Sequence, residues 1–352
     1  MSDVMTSTAI STQIQLASRP EGWPKETDFR TVTVEYAELQ PGQVRVENLF
    51  LSVDPYMRGR MTDAPSYVAP YALGETLTGG AVGVVVESTS DDVPVGAHVL
   101  HAFGWRDIVQ EDAASFRVVD EIPGVPLSLY LSMLGMTGLT AYVGLTAIAG
   151  LKEGETVFVS GAAGAVGTAV GQIARKLGAG RIIGSAGTAE KVALLTEKYG
   201  FDAAFNYKEQ PVREQLAAAA PDGIDVYFDN VGGDHLEAAL DVFNRGGRAA
   251  LCGAISSYNE REKPAGPDNM ANLIKRALRL EGFTVGGYGH LAGEFQQQMV
   301  EWIRAGEIAY DETVVDGLDS TVQAFLDMMR GANTGKMIVD LSGEARARVA
   351  CA

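Results

Sequence analysis

The run Val157-Phe-Val-Ser-Gly-Ala-Ala-Gly-Ala-Val-Gly167 reads as a strand, a tight turn and the start of a helix. Against the pattern Gly-x-Gly-x-x-Gly, Ala162 takes the first glycine position, and Gly164 and Gly167 take the other two. Glycine at 164 lets a backbone approach a pyrophosphate. Glycine at 167 lets helix and strand pack closely, and the helix N-terminus offers amides to the anion. A glycine motif alone is weak evidence, but its place after a strand and before a helix is the context dinucleotide binding requires. Ala163, Gly164, Ala165, Val166 and Gly167 are therefore expected to line a dinucleotide.

The end of the next strand discriminates between cofactors. Sites for NAD place an acid there for the ribose 2′-hydroxyl. Here the stretch is Ile183-Gly-Ser-Ala-Gly-Thr-Ala-Glu-Lys191, with no acid from Ser185 to Gly187, and Glu190 already falls inside the following helix. Lys191 is placed to reach a 2′-phosphate, and Tyr207, after the third strand, is a second contact. The expected cofactor is NADPH/NADP.

A metal finds few ligands in this sequence. The only cysteines are Cys252 and Cys351, and the region before residue 120 holds no cysteine and only His98 and His101. Three-residue spacing in a strand sends those two histidines to opposite faces. No metal site is expected. Two cysteines also exclude a disulfide framework, which fits a reducing cytoplasm.

Certain elements must hold these residues in place. Up to about residue 120 the pattern is short and β-like, with candidate strands near 43–51, 80–87, 97–100 and 115–119 separated by turns such as Gln40-Pro-Gly and Val93-Pro-Val-Gly. The apolar stretch 127–149 is interrupted by glycines, serines and threonines and reads as buried helix rather than a membrane span. From residue 156 onward six strands alternate with helical segments, at 156–160, 181–184, 202–207, 224–229, 248–253 and 280–285. That is the signature of a doubly wound parallel sheet, an α/β Rossmann domain. A last strand at 335–341 must go somewhere, and the economical expectation is that it rejoins the N-terminal β-domain. The expected division is 1–127 with 318–352 as a mostly β domain, and 128–317 as the nucleotide-binding domain.

Composition narrows the partners. The chain of 352 residues has a net charge of −17 and an apolar fraction of 46%. An acidic surface repels phosphate backbones and anionic membranes, so neither nucleic acid nor membrane is an expected partner. The first fifteen residues lack a basic stretch followed by an apolar one and do not read as a signal peptide.

Several motifs taken together resemble one family. They are Leu51-Ser-Val-Asp-Pro-Tyr-Met-Arg58, Ala162-Ala-Gly-Ala-Val-Gly167, Gly184-Ser-Ala-Gly-Thr-Ala-Glu-Lys191, Phe205-Asn-Tyr-Lys208, Phe228-Asp-Asn-Val-Gly-Gly233, Cys252-Gly-Ala-Ile-Ser-Ser-Tyr-Asn259 and Asn333-Thr-Gly-Lys336. Over nearly its whole length the chain resembles the zinc-free medium-chain dehydrogenases/reductases. Within them it is most similar to the leukotriene B4 12-hydroxydehydrogenase/prostaglandin reductase family, which includes plant alkenal double-bond reductases and bacterial curcumin reductase. The resemblance implies a Rossmann domain with a GroES-like, mostly β catalytic domain.

The resemblance also implies residue roles. Lys191 and Tyr207 would bind the adenosine 2′-phosphate, and Gly187 would also contact the cofactor. Asn230 would sit at the cofactor, and the loop Cys252, Gly253, Ala254, Ile255, Ser256 and Tyr258 would lie along it. Phe283 and Val285 would line the nicotinamide pocket, Asn333 would contact the cofactor, and Tyr56 would stand near the reacting double bond. A homodimer formed by edge pairing of Rossmann sheets is implied as well. Two segments depart from the family: a small polar residue is more usual where Arg106 stands, and the stretch 61–73 with Tyr67 and Tyr71 is individual.

Without a metal, a carbonyl must be polarised by hydrogen-bond donors. That suits conjugate reduction, in which hydride reaches the β-carbon of an α,β-unsaturated ketone or aldehyde and the enolate is protonated. A phenol, with a pKa of about 10, remains a donor at pH 7. Tyr258 and Tyr56 are the expected catalytic residues, with Tyr288 third. Tyr56, Tyr67, Tyr71, Trp105 and Tyr288 would form an aromatic pocket for apolar or aromatic enones. The competing readings are an NADPH quinone reductase, a dehydrogenase acting on a secondary alcohol, and a non-catalytic NADPH-binding protein. Asp54 and Asp229 read as structural, Met328 and Met329 as core or interface, and His235 and His290 as surface or helix-terminal.

Overall fold

The computed structural model describes residues 9–262 and 264–345, so Cys351 lies outside the described residues. The chain divides into two compact units. One holds residues 1–131, 313–332 and 337–352, and the other holds 132–312 and 333–336.

The first unit is mostly β. Strands β1 (Ala9–Leu16) and β2 (Phe29–Tyr36) form an antiparallel hairpin. They are followed by β3 (Gln43–Ser52), the short helix α1 (Tyr56–Arg60), β4 (Ala81–Ser88), β5 (His98–His101), β6 (Ile108–Asp112) and β7 (Arg117–Val118). The hairpin is not evident in the sequence because inward positions of β1 are polar: Ser11 and Gln13 are buried. Their cost is met by hydrogen bonds from Ser11 Oγ to Asp107 and from Gln13 Nε2 to Tyr36 Oη. The valines of β3 to β6 supply the core of this unit, with Val44, Val46, Val85, Val99 and Val109 packed on Phe116.

In the second unit, helix α2 (Met136–Val143) runs into a π-helical turn, Gly144–Ile148. Six strands follow: β8 (Thr156–Val159), β9 (Arg181–Ala186), β10 (Ala203–Asn206), β11 (Ile224–Asp229), β12 (Phe243–Leu251) and β13 (Arg279–Gly282). They pair in the order β10-β9-β8-β11-β12-β13, and all are parallel. The helices between them include α3 (Ala165–Lys176), α4 (Ala189–Glu197), α5 (Val212–Ala219) and α6 (Gly233–Val242). This is the doubly wound order, with its reversal between β8 and β11, where such sheets bind ligands at their carboxyl ends. Phe158, Tyr227 and Phe243 anchor the core on one face of the sheet.

The chain then returns to the first unit. Strand β14 (Glu312–Asp316) lies beside β15 (Lys336–Asp340), and Ile338 to Asp340 of β15 pair antiparallel with Ser52 to Phe50 of β3. The last strand thus joins the N-terminal sheet. The Asn333–Lys336 stretch just before it belongs to the nucleotide unit.

Candidate active site

The glycine-rich turn behaves as its residue types require. A Cβ on residue 167 would lie 2.4 Å from Gly161 O and 2.6 Å from Ala162 Cα, so helix α3 reaches its strand only with glycine there. Ala162 N–H donates to Ser185 O at 2.9 Å and ties the turn to the next strand. The first bond of α3 runs from Thr168 N–H to Gly164 O. The amides of Ala165, Val166 and Gly167 therefore precede the helical ladder, and this is the anion-facing end of the helix. Gly335 N–H donates to Ala163 O at 2.9 Å, so the Asn333–Lys336 stretch runs alongside the turn. Asn333 Nδ2 itself donates to Gly335 O at 2.7 Å.

Thr188 caps α4 by accepting Lys191 N–H, which fixes the lysine in the first turn of that helix, just after β9. Tyr207 Oη comes within 3.1 Å of where a Cβ on Gly187 would lie, and Lys208 Cε within 3.3 Å. Burial and the charge of Lys208 hold the Lys191 ammonium below the usual lysine range. Tyr207 and Lys208 thus stand at Gly187, and Lys191 is near enough to feel the charge of Lys208, a donor set suited to a phosphate dianion. Lys208 is an addition to the sequence-based site. Its signal was present in the Phe205-Asn-Tyr-Lys208 motif, as the second cation next to Tyr207.

Asp229 organises the reversal point. Its Oδ1 accepts Tyr227 Oη at 2.7 Å, Ser160 Oγ at 3.1 Å, Val231 N–H at 2.9 Å and Gly232 N–H at 2.7 Å. Burial pushes this carboxyl up, and the four donors oppose the shift. Asn230 Nδ2 donates to Ser160 O at 2.8 Å, joining the ends of β8 and β11. The loop after β12 is sewn to the same place. Cys252 and Gly253 donate to Asp229 O, Ile255 to Asn230 O and Ser256 to Val231 O. Tyr258 Oη accepts Ala254 N–H at 3.2 Å, which brings the phenol back over this loop. The thiol of Cys252 is pushed up to about 12 by burial and by Asp229, so it is no nucleophile at neutral pH.

Phe283 packs edge-on against Phe228, with ring centroids 6.2 Å apart. A Cβ on Gly144 would lie 2.3 Å from the Phe228 ring and 3.0 Å from Phe283, so the π-helical turn is built against both rings. Val285 and Tyr288 follow on a 3-10 turn, and both are half-buried. Sequence reading missed the π-turn; its one signal is a glycine inside an apolar helical stretch.

In the first unit, Tyr56 opens α1 and is half-buried. Burial, and then the negative charge of Asp54, raise its phenol well above the ordinary value, so it stays protonated. Asp54 accepts Ser52 Oγ and its carbonyl accepts Met57 N–H, a turn-forming role. Tyr67 is 71% exposed.

The remaining sequence assignments divide. Trp105 does not line a pocket. It is fully buried, with its ring stacked on Phe29 at 5.8 Å and edge-on to Phe325 at 5.9 Å. Tyr71 is also buried, and its hydroxyl donates to Thr78 O. His235 stands in the first turn of α6, as a helix-terminal residue, but it is buried rather than on the surface, and its ring meets Tyr207 edge-on at 5.3 Å. Among the described residues no group of three or more His, Cys, Asp or Glu is placed to hold a metal ion, and no helix is long and apolar enough to cross a membrane.

A doubly wound sheet with a glycine turn at its carboxyl end, carried in one chain with a β-rich unit, defines a nucleotide-dependent oxidoreductase. Residues 12–119 match the family described as the N-terminal domain of oxidoreductase, and residues 165–305 match the zinc-binding dehydrogenase family. NADPH-dependent curcumin reductase of Escherichia coli is 42% identical over 94% of this chain and 96% of its own length. The NADP(+)-dependent 2-alkenal reductase of Nicotiana tabacum is 43% identical over 94% of this chain and 98% of its own. The crystal structure of CurA from Vibrio vulnificus in complex with NADPH aligns with a TM-score of 0.89 at 40% identity, covering 94% of this chain and 98% of that one. The chain belongs to the medium-chain dehydrogenase/reductase family of the prostaglandin reductase type.

Proposed function

We propose that this protein uses NADPH to reduce the carbon–carbon double bond of α,β-unsaturated ketones and aldehydes. The observation that carries the reading is Tyr207 and Lys208 at Gly187, with Lys191 close to Lys208, at a strand end that holds no acid. The residues fit NADPH: amides at the start of α3 suit the pyrophosphate, and the two lysines suit the 2′-phosphate. Bound there, NADPH supplies the hydride for the β-carbon of the substrate. Tyr258 donates a hydrogen bond to the substrate oxygen as it becomes an enolate, the N–H of Ala254 on its phenol oxygen strengthens that donor, and water supplies the proton that the α-carbon takes up. Tyr56, protonated across the physiological range, is the second donor. Asn230, Cys252 to Ser256, Phe283, Val285 and Asn333 line the cofactor, and Tyr67 and Tyr288 face the substrate.

The protein acts as a homodimer in a reducing cytoplasm on this reading. Strand β13 ends the nucleotide sheet, and Met270 and Ile274 nearby are 48% and 87% exposed. A capped sheet edge and covered apolar side chains are what an edge-to-edge dimer supplies. Light scattering on the eluting protein gives the mass directly, and a monomer would remove the dimer.

The decisive assay follows NADPH oxidation with trans-2-nonenal, benzylideneacetone, a 15-oxo-prostaglandin, curcumin and a quinone, with products identified by mass. A saturated ketone or aldehyde with its carbonyl retained is expected, with apolar and aromatic enones preferred. Turnover of the quinone alone would overturn the reading.

A further inference from the structure

The connection from α1 to β4 contains no strand or helix over residues 61–80, yet it is pinned. Tyr71 N–H donates to Arg60 O at 2.7 Å, so the ends of the segment 61–70 meet and close a compact surface loop. Most of that loop is exposed, including Tyr67 near its middle.

One side chain holds the stem. Arg60 Nε donates to Ala69 O at 2.9 Å, and its Nη1 donates to Thr78 Oγ1 at 2.9 Å. Its guanidinium lies 4.0 Å from the centre of the Tyr71 ring, and the Tyr71 hydroxyl donates to Thr78 O at 2.5 Å. The planar fork of arginine makes two directed hydrogen bonds and stacks on a ring at once. A lysine ammonium has no plane with which to do both. Arg60 also lies four residues after Tyr56, on the same face of the α1 turn. The Tyr56 phenol lies within electrostatic reach of the Arg60 charge and close to Tyr71 and Tyr67.

We propose that Arg60 is a specificity-determining positioning residue. By clamping the stem of the 61–70 loop, it fixes where Tyr67 and Tyr71 stand around Tyr56, and so sets the size of enone that this unit accepts. The assignment rests on the enone-reductase reading above. Arg60 does not touch the reacting atoms; it acts through the loop.

The test compares the intact wild-type protein with Arg60→Lys and Thr78→Val, using acrolein and benzylideneacetone with saturating NADPH. The expected result is a fall of tenfold or more in the benzylideneacetone-to-acrolein ratio of kcat/KM for Arg60→Lys. Thr78→Val should give a smaller fall in the same direction. The KM for NADPH should hold, and amide hydrogen exchange over 61–70 should rise. Tyr67→Ala should lower the ratio in the wild type and add nothing on top of Arg60→Lys, since both act through one loop. An unchanged ratio in both stem variants, or equal losses on both enones, would overturn the assignment alone. Wild-type protein that reduces neither enone would overturn the functional reading, and this assignment with it.

Discussion

The phenol oxygen of Tyr258 accepts the backbone N–H of Ala254 at 3.2 Å, four residues back in the same loop. That loop is in turn hydrogen-bonded to residues 229–231 at the sheet's reversal point. The tyrosine is thereby tied to the carboxyl ends of the strands at the sheet's reversal point. Tyr258→Phe should lower kcat by about 100-fold, the usual cost of losing one donor to a developing oxyanion. The KM for NADPH should change little. Steady-state kinetics decide the matter, and an unchanged kcat would move the donor role to Tyr56.

Cofactor choice is expected to depend on the two lysines. Lys191→Ala should raise the KM for NADPH by roughly tenfold or more, since a hydrogen bond to a charged group is worth about 1.5–3 kcal/mol. The KM for NADH should barely move. Lys208→Ala should act in the same sense but more weakly, because Lys208 is exposed. Equal effects of either change on NADPH and NADH would remove that lysine from the phosphate site.

Two buried histidines make stability depend on pH. Burial lowers His101 to about 3 and His235 to about 4, from an ordinary value of 6.5. Below pH 6.5 the unfolded chain takes up protons that the folded one refuses. Stability is therefore complete above that value and falls as the pH drops toward 4. By pH 5 each histidine should have cost on the order of 2 kcal/mol. His235→Phe should remove about half of the histidine-dependent loss between pH 7 and pH 5, measured by urea unfolding at both values. A parallel shift at the two pH values would mean that His235 does not titrate with folding.

Asp229 serves four donors in a buried place. Asp229→Ala would leave them unsatisfied, at about 1–3 kcal/mol for each group before relaxation. A loss of at least about 3 kcal/mol in unfolding free energy is expected, with weaker NADPH binding because the carboxylate holds the amides of Val231 and Gly232, in the turn to which Ser256 of the Cys252–Tyr258 loop bonds. Chemical denaturation and NADPH fluorescence titration report the two effects separately. A loss under about 1 kcal/mol would show that water replaces the carboxylate.

The sequence on its own determined the doubly wound sheet, the glycine turn and the preference for a 2′-phosphate. Each of these is local or periodic: a glycine where a Cβ cannot fit, strands alternating with helices, a missing acid at one strand end. Only the tertiary structure decided which aromatic residues are surface and which are core. Trp105 and Tyr67 look alike in the sequence, yet Trp105 is sealed between Phe29 and Phe325 while Tyr67 stands on an exposed loop. The hairpin of β1 and β2 was hidden because Ser11 and Gln13 point inward, and their partners Asp107 and Tyr36 are distant in the chain. The same holds for Arg60 and Thr78, for Lys208 beside Gly187 and for Gly144 beneath Phe228 and Phe283. Periodicity reports which face of an element is apolar. It does not report which residue from another element fills that face, because that depends on packing across the chain.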